Sequence, residues 1–232
     1  MNQFSIADFI VIAIIMLFVY IFYKKGAVKA IFGFLSSIVS IFAAKLLYPV
    51  VSIFLMDSAL FDNIKNAVFK YISENTLNAE TLKTQTDAIN NLGFPDFIVK
   101  ALIENNNSEI YNILDASGIG DYIAKFIAGI LINIISWLIV FVIVFLAIRL
   151  VGRALNIIKK LPVIHTADKL LGAVLGCAQA VFLIWILMAL ATLFYAKPEN
   201  REFIDSISSS PISGWFYENN LILNMITDII KW

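Results

Sequence analysis

The sequence predicts an all-α integral membrane protein with four transmembrane helices in two hairpins. Three observations support this fold class: four long apolar runs, their near absence of charge, and an overall composition that is 60% hydrophobic and 13% aromatic. Soluble domains contain only about 45–50% apolar residues. The runs extend from Phe9 to Tyr23, Ala27 to Ala44, Phe126 to Ile148 and Leu170 to Ala196, and Lys29 is their single charged residue. A hydrocarbon core about 30 Å thick requires roughly 20 helical residues, so each run is long enough, or nearly so, to cross it.

These runs divide the chain into four regions. Residues 1–48 form the first transmembrane hairpin, 49–121 an extracytoplasmic amphipathic helical loop, 122–196 the second hairpin and 197–232 an interfacial tail. Pro49 predicts a helix break, with residues 50–56 lying along the membrane surface. Within the loop and the tail, apolar residues recur at three- and four-residue spacing, which is typical of amphipathic helices. They are Leu60, Phe61, Ile64, Val68 and Tyr71 in the loop, and Leu221, Ile222, Met225, Ile226, Ile229 and Ile230 in the tail. The tail is expected to lie at the interface or to pack on the outer loop.

The positive charges predict the orientation. Lys24, Lys25 and Lys29 follow the first run, and the connection between the third and fourth runs carries Arg149, Arg153, Lys159, Lys160 and Lys169. Cytoplasmic loops carry an excess of Lys and Arg, so both connections are expected in the cytoplasm. Both termini and the acidic loop 48–125 are then extracytoplasmic.

Composition excludes several function classes. Lys and Arg balance Asp and Glu at 17 each, and they form no basic stripe of the kind that binds nucleic acid. Cys177 is the single cysteine, so no intramolecular disulfide can form. His165 is the single histidine and has no second strong metal ligand nearby in the sequence. We therefore expect no metal, no cofactor, no nucleic-acid partner and no enzymatic activity.

Small residues predict where helices cross closely. In lipid, helix association depends on close packing through small side chains and on a few hydrogen bonds. The second helix, expected to begin near Gly26, carries such a seam at Ala30, Gly33, Ser37, Ser40 and Ala44, and the fourth carries Gly172, Gly176 and Ala180 at four-residue steps. Packing within the molecule is the simplest interpretation, and an oligomer interface or a pore lining is the alternative.

Three polar side chains lie deep in the predicted spans: Asn133, Ser136 and Gln179. An amide in hydrocarbon needs a hydrogen-bond partner, so interhelical bonds are expected here. The alternative is a hydrophilic path. No ionisable residue lies in the middle of a run, which argues against a proton relay.

Two aspartates lie where helices are expected to begin. Ser5 and Asp8 form the Ser-x-x-Asp pattern that caps a helix N-terminus. Pro162 is expected to end the preceding helix, Thr166 to cap the fourth, and Asp168 to lie in its first turn, where the helix dipole favours an acid. Asp168 is also expected to pair with Arg149 or Arg153.

The same segments carry a family resemblance. The stretch Leu161-Pro-x-Ile-x-x-x-Asp-Lys-x-Leu-Gly-x-x-x-Gly176 resembles the colicin V production protein family of bacterial inner-membrane proteins. So do Asp8, the turn Tyr23-Lys-Lys-Gly-Ala-Val-Lys29, Ala43-Ala44 and Ser209-Ser-Pro-Ile212. The resemblance covers both hairpins, from Ile6 to Leu47 and from about Phe126 to Tyr195.

The resemblance implies a multi-pass inner-membrane protein that supports toxin production or secretion and envelope homeostasis. It implies no catalytic residue. Expected partners are the lipid bilayer and either a second copy of the chain or other envelope and secretion proteins. The alternative is a small oligomeric channel or transporter, with Ser37, Ser40, Asn133, Ser136 and Gln179 along one wet path. The candidate packing or functional residues are Asp8, Gly26, Gly33, Ser37, Ser40, Asn133, Ser136, Arg149, Arg153, Asp168, Gly172, Gly176 and Gln179.

Overall fold

Four long helices dominate the structure, a computed structural model that describes residues 4–73, 82–154, 166–194 and 201–227. They are α1 (Ile6–Lys25), α2 (Ala27–Met56), α7 (Ile119–Ala154) and α8 (Thr166–Leu193). All four are long and apolar enough to cross a membrane. Within the described residues every regular element is a helix, so the predicted all-α class is confirmed, with four helices that are candidate membrane spans.

The closest packing joins helices that are far apart in sequence. Helix α1 packs along α8, and α2 packs along α7 with a smaller contact to α8, whereas α1 barely touches α2 and α7 barely touches α8. Helices α1 and α8 run antiparallel, since Gly172 lies near Phe22 and Gly176 lies near Phe18. The two predicted hairpins therefore interleave, and each helix of one hairpin finds its main partner in the other.

The prediction that Pro49 breaks the second helix is wrong. Helix α2 continues through Pro49 to Met56, so residues 50–56 do not form a separate surface segment. Proline removes one backbone hydrogen bond, but packing against α7 holds the last turns in place. Ser52 donates a hydrogen bond from its hydroxyl to Asn133 Oδ1 at 2.6 Å.

The described residues between α2 and α7 form four shorter helices: α3 (Ala59–Ser73), α4 (Leu82–Asn90), α5 (Asp96–Glu104) and α6 (Ser108–Ile113). Helix α3 packs on α7, with Val68 and Ile72 buried. The Tyr122 hydroxyl donates to the Leu102 carbonyl at 2.7 Å and joins α7 to α5. A 36-residue α7 is about 54 Å long, more than the hydrocarbon core, so its first turns extend into this helical layer.

After α8, the part of the chain that the structure describes contains three helices: α9 (Arg201–Ser208), α10 (Pro211–Glu218) and α11 (Leu221–Thr227). The amphipathic helix predicted for the tail is present as α11 over the described part, and Asn219 and Asn220 separate it from α10. Asn220 Oδ1 accepts hydrogen bonds from the N–H groups of Ile222 and Leu223, and its Nδ2 donates to the Trp185 carbonyl. The tail therefore packs on the bundle: α11 contacts α7 and α8 and buries Ile222, Leu223 and Ile226. The expected apolar residues Ile229 and Ile230 lie outside the described residues.

These elements define two ends of the bundle. The end that carries α3 to α6 and α9 to α11 is called the cap end. The other, called the basic end, carries Lys24, Lys25, Lys29, Arg149, Arg153 and Lys169. The start of α1 lies at the cap end, and the start of α8 lies at the basic end.

Candidate functional site: two carboxylates that join distant helices

Asp8 joins α1 to α10 at the cap end. It is the third residue of α1, and its side chain is fully buried. Its Oδ2 accepts a hydrogen bond from the Ser5 N–H at 3.2 Å, and its Oδ1 accepts from the N–H groups of Ile212 at 3.1 Å and Ser213 at 2.7 Å. One carboxylate thus binds three backbone N–H groups from two helix N-termini.

The local sequences explain why these groups meet. The first N–H groups of a helix have no partner inside it, and α10 begins at Pro211, a residue suited to a first helical position. The next two residues supply the N–H groups that Asp8 binds. A carboxylate is also favoured near the positive end of a helix dipole, and Asp8 lies at two such ends. The capping aspartate and the Ser209–Ile212 motif therefore form one site, although 204 residues separate Asp8 from Ile212.

Asp168 makes the equivalent connection at the basic end. It is the third residue of α8, and its Oδ1 accepts a hydrogen bond from the Ala27 N–H at the start of α2 at 2.9 Å. Gly26, between α1 and α2, has a positive φ of 79°, and a Cβ on it would overlap the Asp168 carboxylate. A glycine is thus needed at position 26 both for the backbone conformation and for the approach of Asp168.

The predicted ion pair between Asp168 and Arg149 or Arg153 is not formed. Asp168 points to the start of α2, where the N–H of Ala27 and the dipole of α2 favour its charge. The Arg149 guanidinium instead lies 4.7 Å from the centre of the Phe145 ring, on the same helix. Within the described residues, neither arginine has an ion-pair partner.

Gly172 and Gly176 face α1. A Cβ on Gly172 would overlap the Phe22 carbonyl oxygen, and one on Gly176 would lie 2.7 Å from the Phe18 carbonyl oxygen and 2.8 Å from Phe22 Cβ. Contacts this short do not occur in packed proteins, so only glycine allows the two backbones to approach this closely. These glycines lie in the contact of α1 with α8, inside the molecule.

Gln179 of α8 links this helix to α2. Its Nε2 donates a hydrogen bond to the Ala30 carbonyl at 2.8 Å, and its amide fills the space beside Gly33. The predicted polar residues of α2 bond within their own helix: the Ser37 hydroxyl donates to the Gly33 carbonyl and the Ser40 hydroxyl to the Ser36 carbonyl.

Asn133 and Ser136 lie on α7. Asn133 accepts the hydrogen bond from Ser52 of α2, and the Ser136 hydroxyl donates to the Ile132 carbonyl of α7. Both residues are buried. Asn133 thus bonds to α2 near the cap end, whereas Gln179 bonds to α2 nearer the basic end, and the structure shows no direct bond between them.

Several residues of these contacts were not predicted from the sequence. The predicted surface segment contains Ser52, and no sequence pattern indicates Gly152, where an added Cβ would overlap the Phe32 ring. Pro211 was a usable signal: a proline after two serines marks a helix start, whose free N–H groups require an acceptor. No sequence signal identified Asp8 as that acceptor.

Pro162, His165 and the side chain of Thr166 lie outside the described residues, so the predicted cap at Thr166 is not described. Among the described residues, no group of three or more His, Cys, Asp and Glu side chains is placed to hold a metal ion.

The fold and these contacts define a multi-pass helical membrane protein in which two carboxylates, the buried Asp8 and the half-buried Asp168, connect helices. Residues 114–219 match the family model described as Colicin V production protein. The match confirms the resemblance seen in the sequence for this segment, which is similar to that family over slightly less than half of the chain. It extends from the residues just before α7 to the end of α10, so it includes Asp168 and the Ser209–Ile212 motif but not the first hairpin. No curated protein and no solved structure matches the chain significantly.

Proposed function

We propose that this chain is a non-enzymatic component of the bacterial inner membrane that supports toxin production or secretion and envelope homeostasis. The observation that carries this proposal is the family match described as Colicin V production protein, which spans α7 to α10. The four apolar helices agree with a role inside the membrane. The chain acts as a packed assembly that other envelope or secretion proteins, or a second copy, contact.

Internal bonding supports a packed assembly over a channel. Ser40, Ser136, Asn133 and Gln179 are buried, and each makes a hydrogen bond within its own helix or to a neighbouring helix. Side chains that line a wet path would keep their polar groups available to water. The glycines of α8 face α1 inside the molecule. Any partner protein must therefore bind other surfaces.

The test is toxin export in bacteria that lack the chain and are complemented with variants. We expect Gly176→Leu to lower the ratio of secreted to intracellular toxin activity, because it separates α1 from α8. The matched control is Val174→Leu, an exposed position on the same helix, which should complement fully. Normal export in cells without the chain would contradict the proposal. Crosslinking in the same cells, followed by identification of copurified envelope proteins, would identify the partners.

Reconstitution separates this role from that of a small channel. Purified protein in liposomes should give no ion or dye flux above that of empty vesicles. Flux that changes in Gln179→Leu and Asn133→Leu but not in Val174→Leu would instead establish the channel.

We further propose that the basic end faces the cytoplasm and that both termini face outward. The described part of that end carries six Lys and Arg residues (Lys24, Lys25, Lys29, Arg149, Arg153 and Lys169) and the single acid Asp168, in line with the excess of positive charge in cytoplasmic loops. In a Cys177→Ser background, an impermeant thiol reagent should label Asn106→Cys in intact cells and spare Asn156→Cys. The opposite labelling pattern would reverse the orientation.

A further inference from the structure

An apolar groove of about 290 Å³ lies between α1, α8 and α9 at the cap end. Its inner surface is buried and includes Val11, Ile184 and Met188. Its rim is formed by the exposed side chains of Ile6, Ile10, Leu187 and Phe203. Of its described lining residues Ser206 alone is polar, and the Ser206 hydroxyl already donates to the Phe203 carbonyl at 2.7 Å. The groove therefore offers water almost no hydrogen-bonding groups.

The position of the groove determines which molecules surround it. On α1 it extends from Ile6 to Ile14, a length of about 12 Å at 1.5 Å per residue. It begins where the membrane-spanning part of α1 begins, so it lies within the roughly 15 Å of hydrocarbon that one leaflet provides. The exposed rim residues Ile10 and Leu187 belong to candidate membrane spans, so lipid rather than water is expected to surround this side of the groove.

The volume of the groove distinguishes a hydrocarbon chain from a helix. An α-helix with side chains is at least 10 Å wide, so 12 Å of helix occupies about 900 Å³, three times the space available. A single hydrocarbon chain, whose atoms keep about 4 Å from their neighbours, occupies roughly 150 Å³ over the same length. An apolar cavity of only about 150 Å³ stays dry and binds small hydrophobic molecules.

A third wall distinguishes this groove from the ordinary lipid-facing surface. Phe203 and Ile207 of α9 close one side, and the bonds of Asp8 to α10 hold the adjoining part of the tail against α1. A chain in the groove is contacted on three sides, whereas a chain on a single helix face is contacted on one. A hydrocarbon chain in the groove makes more contacts at van der Waals distance and is therefore expected to stay bound longer than one on a single helix face.

We propose that this groove is a binding site for one acyl chain of a phospholipid from the leaflet at the cap end. The lipid fills the space between α1, α8 and α9 and becomes part of the packed structure. The proposal does not depend on the toxin-related role.

The first experiment counts the lipid molecules that remain bound after purification in mild detergent, by native mass spectrometry. The wild-type protein should retain one phospholipid. Ala191→Trp fills the groove from α8 and Ala7→Trp fills it from α1, and both should lose the retained lipid. Val174→Trp places the same side chain on an exposed part of α8 outside the groove and should retain it. Equal retention in all four proteins, or no retention in the wild type, would overturn the proposal.

The second experiment identifies the occupant directly and remains informative if the tryptophan variants fold poorly. A photoreactive benzoylphenylalanine replaces Ile10 at the rim of the groove, and whole cells are irradiated before purification. The expected product is an adduct with a phospholipid acyl chain, lost in the Ala191→Trp background. An adduct with a second copy of the chain, or with its own residues 228–232, would assign the groove to that occupant instead.

Discussion

The contact of Gly176 with α1 allows a quantitative prediction about the packing of the bundle. A Cβ at this position would lie 2.7 Å from the Phe18 carbonyl oxygen. Ordinary van der Waals contacts of a Cβ begin near 3.4 Å, so α1 must move by about 0.7 Å to accept even Gly176→Ala. A gap of 0.5–1 Å forfeits a quarter to a half of the dispersion energy of each contact that it opens.

We expect Gly176→Ala to lower the free energy of unfolding by about 1–3 kcal/mol, the usual range for overpacking a close contact. Gly176→Leu should be more severe, because its side chain is directed at backbone atoms that cannot rotate away. Unfolding would be followed in detergent by thermal denaturation and by denaturant titration. The toxin-export assay would be performed on the same variants.

Gly129→Ala is the matched control. Gly129 lies inside α7, also a membrane-spanning helix, and its nearest neighbour would be Met56 Cε at 4.0 Å from the added Cβ. Alanine should therefore fit there, and its higher helix propensity should stabilise the protein by up to about 1 kcal/mol. Equal or higher stability of Gly176→Ala relative to the wild type would refute the inferred close approach of α8 to α1.

Three further substitutions test the remaining contacts. Asp8→Ala should lower the free energy of unfolding by about 2–4 kcal/mol, since it leaves buried N–H groups without an acceptor. Hydrogen exchange at the start of α10 should accelerate, whereas it should stay unchanged in the control Asp57→Asn, which alters an exposed carboxylate. Asp168→Ala should lower the free energy of unfolding by about 0.5–2 kcal/mol, as for the loss of a helix cap, and should reduce toxin export because the bundle assembles less well. Abolished export with unchanged stability and oligomer size would instead make Asp168 a direct functional residue. Gln179→Leu should lower the free energy of unfolding by about 0.6–2 kcal/mol, as for one interhelical hydrogen bond in a membrane. An unchanged melting temperature would contradict the hydrogen bond to the Ala30 carbonyl.

The sequence predicts the four membrane-spanning helices because hydrophobic length is a local property. Twenty consecutive apolar residues indicate a span whatever they contact. The same holds for helix starts: Asp8 and Asp168 lie in the first turns of α1 and α8 because acids near a helix N-terminus are favoured by local physics.

The partners of these residues depend on helix pairing, which is not local. From the sequence, a nearby arginine is the expected partner of Asp168, because opposite charges close in sequence form the simplest pair. It binds Ala27 instead, 141 residues away, because α8 packs against α1 and places it beside the start of α2. Pro49 predicts a helix end because it lacks a backbone N–H, but the packing of α2 on α7 overrides that local preference.

The bond between Asp8 and Ser213 has a consequence for biosynthesis. The two residues are 205 positions apart, and ribosomes add about 5–20 residues per second. The Asp8 carboxylate therefore waits about 10–40 s after its own synthesis before its partner exists. During this interval α1 also lacks α8, since that helix is made almost as late. Until α8 is made, the face of α1 that packs against Gly172 and Gly176 therefore has no partner within the chain.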